Sequence, residues 1–281
     1  MRWVAGPHLA HPGDPLTLMK PIAAAFMAVL VLVTPAWPAA EEEEVNNGQD
    51  ITRPLRRVDL RYQYQNLPPH ENDNEHSYTI GGDLPFALAP GWTLGTRIEL
   101  PRILTDAPEG DLTLGEGDLL VQALLIHTLG ERWGVAAGTQ LVFPTAPEDE
   151  TGGGKYRIVP TAAVRASLPD LGKGVWALVI VRYDTDFAGE RDRQGRKDLI
   201  VQPVLNVPLP HSLFLNVMPE IKYNLDEERP RDRGRWFIPF QVMVGWVWAR
   251  KVVGSIEVGV PLIHDYQQDD VKVELRFGFF F

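Results

Sequence analysis

Three features of the chain predict one fold class: an all-β, twelve-stranded antiparallel transmembrane barrel of the bacterial outer membrane. The first is residues 271–281. Val271, Val273, Leu275, Phe277, Phe279 and Phe281 share one parity there, and Lys272, Glu274, Arg276 and Gly278 share the other, with Phe280 the one mismatch. Successive strand side chains point to opposite faces, so this stretch has an apolar face and a charged face. The second feature is that eleven earlier segments repeat the alternation, joined by connections that are in turn short and long. The third is that outward aromatics gather at both ends of the segments. A membrane barrel needs all three, with apolar side chains toward lipid, polar ones toward the lumen, tight turns on one side and loops on the other.

Residues 1–40 are expected to stand outside the barrel. Met19-Lys20, the apolar run Ile22 to Val33 and the small residues Ala36, Ala39 and Ala40 read as a secretory signal peptide, with residues 1–18 an over-extended start. The apolar run, about a dozen residues, is too short to span a bilayer. Residues 41–54 read as an acidic periplasmic leader, Glu41 to Asp50 being most simply a solvated linker, and 55–281 as the barrel.

The strands follow in order. In 57–65, Val58, Leu60, Tyr62 and Tyr64 oppose Arg57, Asp59, Arg61 and Gln63. In 78–88, Tyr78, Ile80, Leu84, Phe86 and Leu88 oppose Thr79 and Asp83. In 92–101, Trp92, Leu94, Ile98 and Leu100 oppose Arg97 and Glu99. In 118–129, Leu119, Val121, Ala123, Leu125 and Leu129 oppose Asp118 and Gln122. In 133–144, Trp133, Val135, Ala137, Leu141 and Phe143 oppose Gln140. In 155–168, Tyr156, Ile158, Ala162, Val164 and Leu168 oppose Lys155, Arg157, Thr161 and Arg165.

The second half continues alike. Val175, Val179, Val181 and Tyr183 oppose Arg182 and Asp184, with Trp176 breaking parity to point inward. Leu199, Val201, Leu205 and Val207 oppose Asp198, Gln202 and Asn206. Leu213, Leu215, Val217, Ile221 and Tyr223 oppose Asn216, Glu220, Lys222 and Asn224. Trp236, Ile238, Phe240, Val242, Val244, Trp246 and Trp248 oppose Gln241. Val252, Ile256, Val258, Val260 and Leu262 oppose Ser255 and Glu257. With 271–281 these make twelve, an even number, as both termini on one side of a closed barrel require.

Connections 89–91, 130–132, 169–174, 210–211 and 249–250 are short; 66–77, 102–117, 145–154, 185–197, 225–234 and 263–270 are long. Trp92, Trp133, Trp246, Trp248 and Phe281 fall beside the short turns, and Tyr78, Phe143, Tyr156, Tyr183, Tyr223 and Trp236 beside the long loops, as two interfacial girdles do. Against the pattern stand Pro85, Pro101, Pro160, Pro203, Pro219, Pro239 and Pro261. Each removes a ladder hydrogen bond, so bulges are expected at several of them.

A set of short motifs carries a resemblance. Gly115-Glu-Gly-Asp118 opens a strand and Gly138-Thr-Gln-Leu-Val-Phe-Pro-Thr145 closes the next. Gly153-Gly-Lys155 leads into a strand bearing Pro160, Gln202-Pro203 lies mid-strand, and the chain ends in an aromatic. Over roughly residues 110 to 281 this resembles the outer-membrane barrel family labelled for the meta-pathway of phenol degradation. The resemblance implies a transporter-like barrel for aromatic or other small hydrophobic compounds, and not a phenol-cleaving activity. The closing Phe281 also resembles the signal by which outer-membrane proteins are recognised for assembly.

The chain carries a net charge of -10 and no cysteine. Acidity argues against a nucleic-acid partner, and the missing thiols exclude disulfides, thiolate metal sites and Cys nucleophiles. The predicted site is the lumen. Arg57, Arg61, Arg97, Lys155, Arg157, Arg165, Arg182, Lys222 and Arg276 face Asp59, Asp83, Glu99, Asp118, Asp184, Asp198, Glu220, Glu257 and Glu274. Two readings fit the same residues: ion pairs that fill a narrow lumen, or charge rings along a water-filled conduit that select solutes. The balance of signs favours neither anions nor cations.

No enzyme, cofactor or metal is expected. His76-Ser77 and His211-Ser212 are adjacent pairs, and strand neighbours point apart; His127 is the one outward candidate, with no serine partner. The acidic stretches 70–76, 148–150, 226–228 and 265–270 read as solvated loops ahead of cation bridges to lipopolysaccharide, since no spacing matches a calcium loop. Gly152-Gly-Gly154 lacks the Lys-Ser/Thr ending of a phosphate loop. Expected partners are outer-membrane lipid and lipopolysaccharide, periplasmic chaperones, the barrel-assembly machinery and a small-molecule solute. The function this implies is passive or facilitated passage of small molecules, or else a closed barrel with a structural or surface-binding role in the envelope. N-terminal sequencing of the exported chain should begin at Ala40 or Glu41; a start at Met1 or Met19 would reject the signal-peptide reading.

Overall fold

The computed structural model describes residues 46–67, 73–106, 112–226, 234–265 and 271–281. Twelve antiparallel staves form it: β1 (Arg57–Leu67), β2 (Asp73–Ala89), β3 (Trp92–Thr105), β4 (Thr113–Glu116 and Leu119–Leu129), β5 (Trp133–Phe143), β6 (Lys155–Ser167), β7 (Trp176–Gly189), β8 (Lys197–Leu209), β9 (Leu213–Val217 and Ile221–Asn224), β10 (Trp236–Trp248), β11 (Val252–His264) and β12 (Lys272–Phe280). Each pairs with its neighbours in sequence, and β1 pairs with β12 from Arg57↔Phe280 to Gln65↔Lys272. That last pairing closes the sheet and leaves no edge with free backbone donors.

The parity survives closure. Leu60, Ile80, Leu100, Ile256 and Phe277 are exposed on the outer face, while Asp59, Arg165, Gln202 and Glu274 are buried inside. Trp133, Trp246, Trp248 and Phe281 are exposed at the turn end and Tyr78, Tyr156 and Tyr183 at the loop end. Two expected irregularities point inward: Trp176 and Phe280 both pack among interior side chains. Loop lengths depart from strict alternation because β2, β3 and β7 run further toward the loop end than expected. The turn-side connection 168–175, which holds a one-turn 3-10 helix at Pro169–Leu171, is longer than the loop-side connection 68–72.

Several prolines sit at breaks in the ladder. Pro101 stands where β4 is interrupted, and Gly117 donates to its carbonyl over 2.9 Å. Opposite Pro160 the β6–β7 pairing skips from Ile158↔Thr185 to Thr161↔Arg182. Pro219 lies in the interruption of β9, and β10 bulges between Ile238 and Pro239, the latter paired with Pro261. Gln241 mends the β9 gap: its carbonyl accepts from Met218 N and its Oε1 from Glu220 N, each at 3.0 Å. Pro85 and Pro203 stay in unbroken register. Pairs Val217↔Leu205 and Ile221↔Val201 bracket Pro219 and Pro203, so the prolines of β8 to β11 fall side by side and thin the ladder in one sector.

Gly138 allows β5 to press against β4, since a Cβ there would stand 2.1 Å from the Ala123 carbonyl oxygen. Gly138→Ala should therefore destabilise the folded barrel by about 1–3 kcal/mol, read as a lower denaturant midpoint for the heat-modifiable form on a gel.

Candidate functional site

The interior divides into two halves. Toward the turn end most inward positions of β4 to β11 are apolar: Leu124, Ile126, Ala136, Ala163, Trp176, Leu178, Ile180 and Val204 form one cluster, and Phe214, Met243, Val247 and Val253 another, joined by Met218 and Phe280, with Arg165, Asn206 and Asn216 the buried polar exceptions. Ile51 packs against the first cluster. Ile51 belongs to no strand, and its presence there overturns the reading of residues up to Asp50 as a solvated linker. Residues 41–45 lie outside the described residues; from Asn46 onward the leader enters the barrel, with Asn47, Asp50 and Thr52 buried.

Local hydrogen bonds shape this segment. Gly48 N donates to Asn46 Oδ1, Gln49 N to Asn47 Oδ1 and Thr52 N to Asp50 Oδ1, three successive side-chain turns. Gly48 adopts φ +73, which a glycine takes without strain. The folded segment is then fastened to the wall. Asp50 Oδ2 lies 2.6 Å from Arg165 Nε with both side chains buried. Asn47 Nδ2 donates to Asn206 Oδ1 over 2.8 Å, Arg57 Nη1 to the Gly48 carbonyl over 2.8 Å and Arg276 Nη1 to Gln49 Oε1 over 3.1 Å.

The rest of the interior is polar. Arg57, Arg61 and Arg97 interleave with Asp59, Asp83 and Glu99 across β1 to β3: Arg57 Nη2 is 2.6 Å from Asp83, Arg97 Nη1 is 3.3 Å from Asp83, and Arg97 and Arg61 both pair with Glu99. Around the wall follow Arg276 with Glu274 (3.2 Å), Lys272 with Glu257 (3.0 Å), Lys222 with Glu220 (3.2 Å), Arg182 with Glu220 (3.4 Å) and Arg157 with Asp184 (2.6 Å). Inside this belt is a cavity of 370 Å3 whose floor is Gly48, Gln49 and Ile51.

Of the predicted lumen residues, Arg57, Arg61, Arg97, Glu99, Arg157, Arg182, Glu220, Lys222, Glu257, Glu274 and Arg276 line the cavity, and Asp59 is buried behind Arg57 and Arg97. Two do not. Arg165 is sequestered by Asp50, and Asp118 fastens the 144–154 loop, accepting from Gly153 N over 2.8 Å. Sequence reasoning missed Lys272 as a site residue although its parity marked it, and missed residues 48–51 altogether. The turn-formers Asn46-Asn47-Gly48 and Asp50 were the available signal.

His127 stacks on Trp92 at 4.1 Å with Nδ1 3.0 Å from the Gly91 carbonyl oxygen, so its ring is engaged at a turn. His211 and Ser212 form a turn with φ 63 and 59. Among the described residues no group of three His, Asp or Glu side chains is placed to hold a metal ion; much of the acidic stretches 70–76, 226–228 and 265–270 lies outside those residues.

No protein-family model matches the chain, and no curated protein does. Solved structures do. The COG4313 outer membrane channel from Pseudomonas putida F1 superposes with a TM-score of 0.66 at 15% identity, over 87% of this chain and 100% of that one. The translocator domain of autotransporter NalP from Neisseria meningitidis gives 0.55 at 12% identity over 94% and 99%. The KdgM porin gives 0.52 at 12% over 80% and 99%. At such identities the likeness establishes the fold, a closed twelve-stranded barrel whose structural neighbours are outer-membrane proteins. The finer resemblance to the phenol-degradation family finds no support in these comparisons.

Asp50→Asn should leave the Arg165 cation buried without its carboxylate, weakening the seating of the segment by about 3–5 kcal/mol. Hydrogen exchange should then quicken at residues 46–56 while strand amides stay protected.

Proposed function

We propose that this protein is an integral outer-membrane barrel through which small molecules pass, with residues 46–55 as the gate. One observation carries the reading: the charge-lined cavity of 370 Å3 is floored by Gly48, Gln49 and Ile51, which belong to a segment outside the ladder. A wall strand cannot leave without breaking many backbone bonds. The segment is held to the wall by a few side-chain contacts and one ion pair, and its withdrawal opens the turn end.

The outer surface supports the membrane setting, since an apolar band between two aromatic girdles suits lipid and no aqueous face. Lipid and lipopolysaccharide surround the barrel on this reading, and chaperones and the assembly machinery deliver it, with Phe281 as the assembly signal. Signs alternate along the belt, so the charged residues that line the cavity set selectivity by local pairing and not by net field. Hydrophobic or aromatic compounds are the favoured solutes, because the turn-side half is lined by Leu124, Ile126, Leu178, Ile180 and Val204 once Ile51 withdraws. The protein performs no catalysis in this account.

The second reading is a closed barrel with an ion-paired lumen, serving the envelope structurally or through its loops. The burial of Asp50, Arg165, Glu257 and Glu274 in ion pairs favours it. Planar-bilayer recording separates the two. The full mature chain should give small, salt-dependent steps, and a chain lacking residues 46–52 should give steps several-fold larger. Replacing Arg97 and Glu99 together by alanine should change conductance. Silence from folded protein in all three, with only stability altered, would establish the closed barrel instead.

A further inference from the structure

The outer face of the barrel carries a groove of 670 Å3 that a uniform lipid-facing wall does not require. Cross-strand register explains its course. One edge is the row Trp246, Gly254, Phe277, Leu60, Ile80 and Leu100, consecutive partners across β10, β11, β12, β1, β2 and β3. The other edge is the next outward row, Ile256, Leu275, Tyr62, Tyr78 and Arg102. Gly254 leaves a hollow in the first row, into which the Trp246 ring lies; a Cβ at Gly254 would stand 2.2 Å from that ring.

The groove has a direction. Trp246 is near the turn-side end of β10 at Trp248, whereas Arg102 is near the loop-side end of β3 at Thr105. Six strands at about 4.8 Å spacing give a length of about 24 Å, ample for one acyl chain, since a leaflet of the hydrocarbon core is about 15 Å thick. The lower walls are apolar and the upper end is not. Arg102 is exposed on the outer face and makes no ion pair among the described residues, although Glu116 is its cross-strand partner. Beside it Tyr62 and Tyr78 lie 5.3 Å apart, and the Tyr62 hydroxyl is 2.9 Å from His76 Nδ1. An exposed arginine presents a planar donor fork that matches the oxygens of a phosphate group.

We infer that this groove binds one phosphate-bearing lipid of the loop-side leaflet, its acyl chain along the two rows and its phosphate on Arg102. This rests on the membrane setting proposed above and is independent of whether the lumen conducts. The lipid would cover the sector where β12 meets β1, the seam that closes the barrel.

The test reconstitutes the full mature chain in vesicles of equimolar phosphatidic acid and phosphatidylcholine, then releases it in mild detergent for native mass spectrometry. The wild-type barrel should retain phosphatidic acid over phosphatidylcholine by about tenfold, the worth of one charge-assisted contact. Arg102→Gln should reduce that preference to within about twofold, and Arg132→Gln, at the turn end, should leave it unchanged. Equal retention of the two lipids by wild type, or a preference that survives Arg102→Gln, would overturn the proposal. Heat-modifiability and protease protection in the vesicles are read on the same samples: a barrel that inserts but shows no preference fails the lipid site alone, whereas one that never inserts fails the membrane setting as well.

Discussion

Everything in this molecule depends on the ladder between β1 and β12. Nine residue pairs join the two ends of the chain's sheet, from Arg57↔Phe280 to Gln65↔Lys272, so each strand has two neighbours and, away from the proline breaks, its backbone donors and acceptors are met within the sheet. A closed sheet in lipid needs no other partner for its backbone. Closure also turns a local alternation into a global one, because one parity of every strand then faces a shared interior and the other a shared exterior.

That interior is too wide for strand side chains alone, and the chain fills it in two chemically different ways. At the turn end apolar inward residues build a small core that takes in Ile51. Toward the loops the same inward parity carries charges, which would be costly to bury singly and are paired around the wall. Near the turn end Asp50 and Arg165 form an ion pair that belongs jointly to the inserted segment and to β6. The lumen's shape is therefore set in part by a segment that lies outside the ladder.

The prolines show how the ladder tolerates interruption. Where Pro219 divides β9, the Gln241 side chain substitutes for a missing backbone acceptor and in turn donates to Glu257 over 2.7 Å. A strand break inside a closed sheet is thus sealed from the lumen side, by a polar residue whose parity already pointed there.

The strands, their faces and most of the lumen lining were legible in the sequence, because a two-residue period is a property of local backbone geometry and needs no knowledge of what lies across the sheet. Trp176 and Phe280 stood out as parity breaks for the same reason, and both point inward. The seats of Arg165 and Asp118 were not legible. Each has the parity of a lumen residue, but parity does not say what else occupies the lumen at that height, and Asp50 and the 144–154 loop arrive from distant parts of the chain. Residues 46–52 have no periodicity to read; their Asn, Gly and Asp residues announce turns, and only the closed barrel supplies the cavity that buries them. The sequence by itself determined which side of the wall each strand residue faces, since that follows from the pleat. The tertiary structure alone decided what fills the space inside, since that depends on which segments closure brings together.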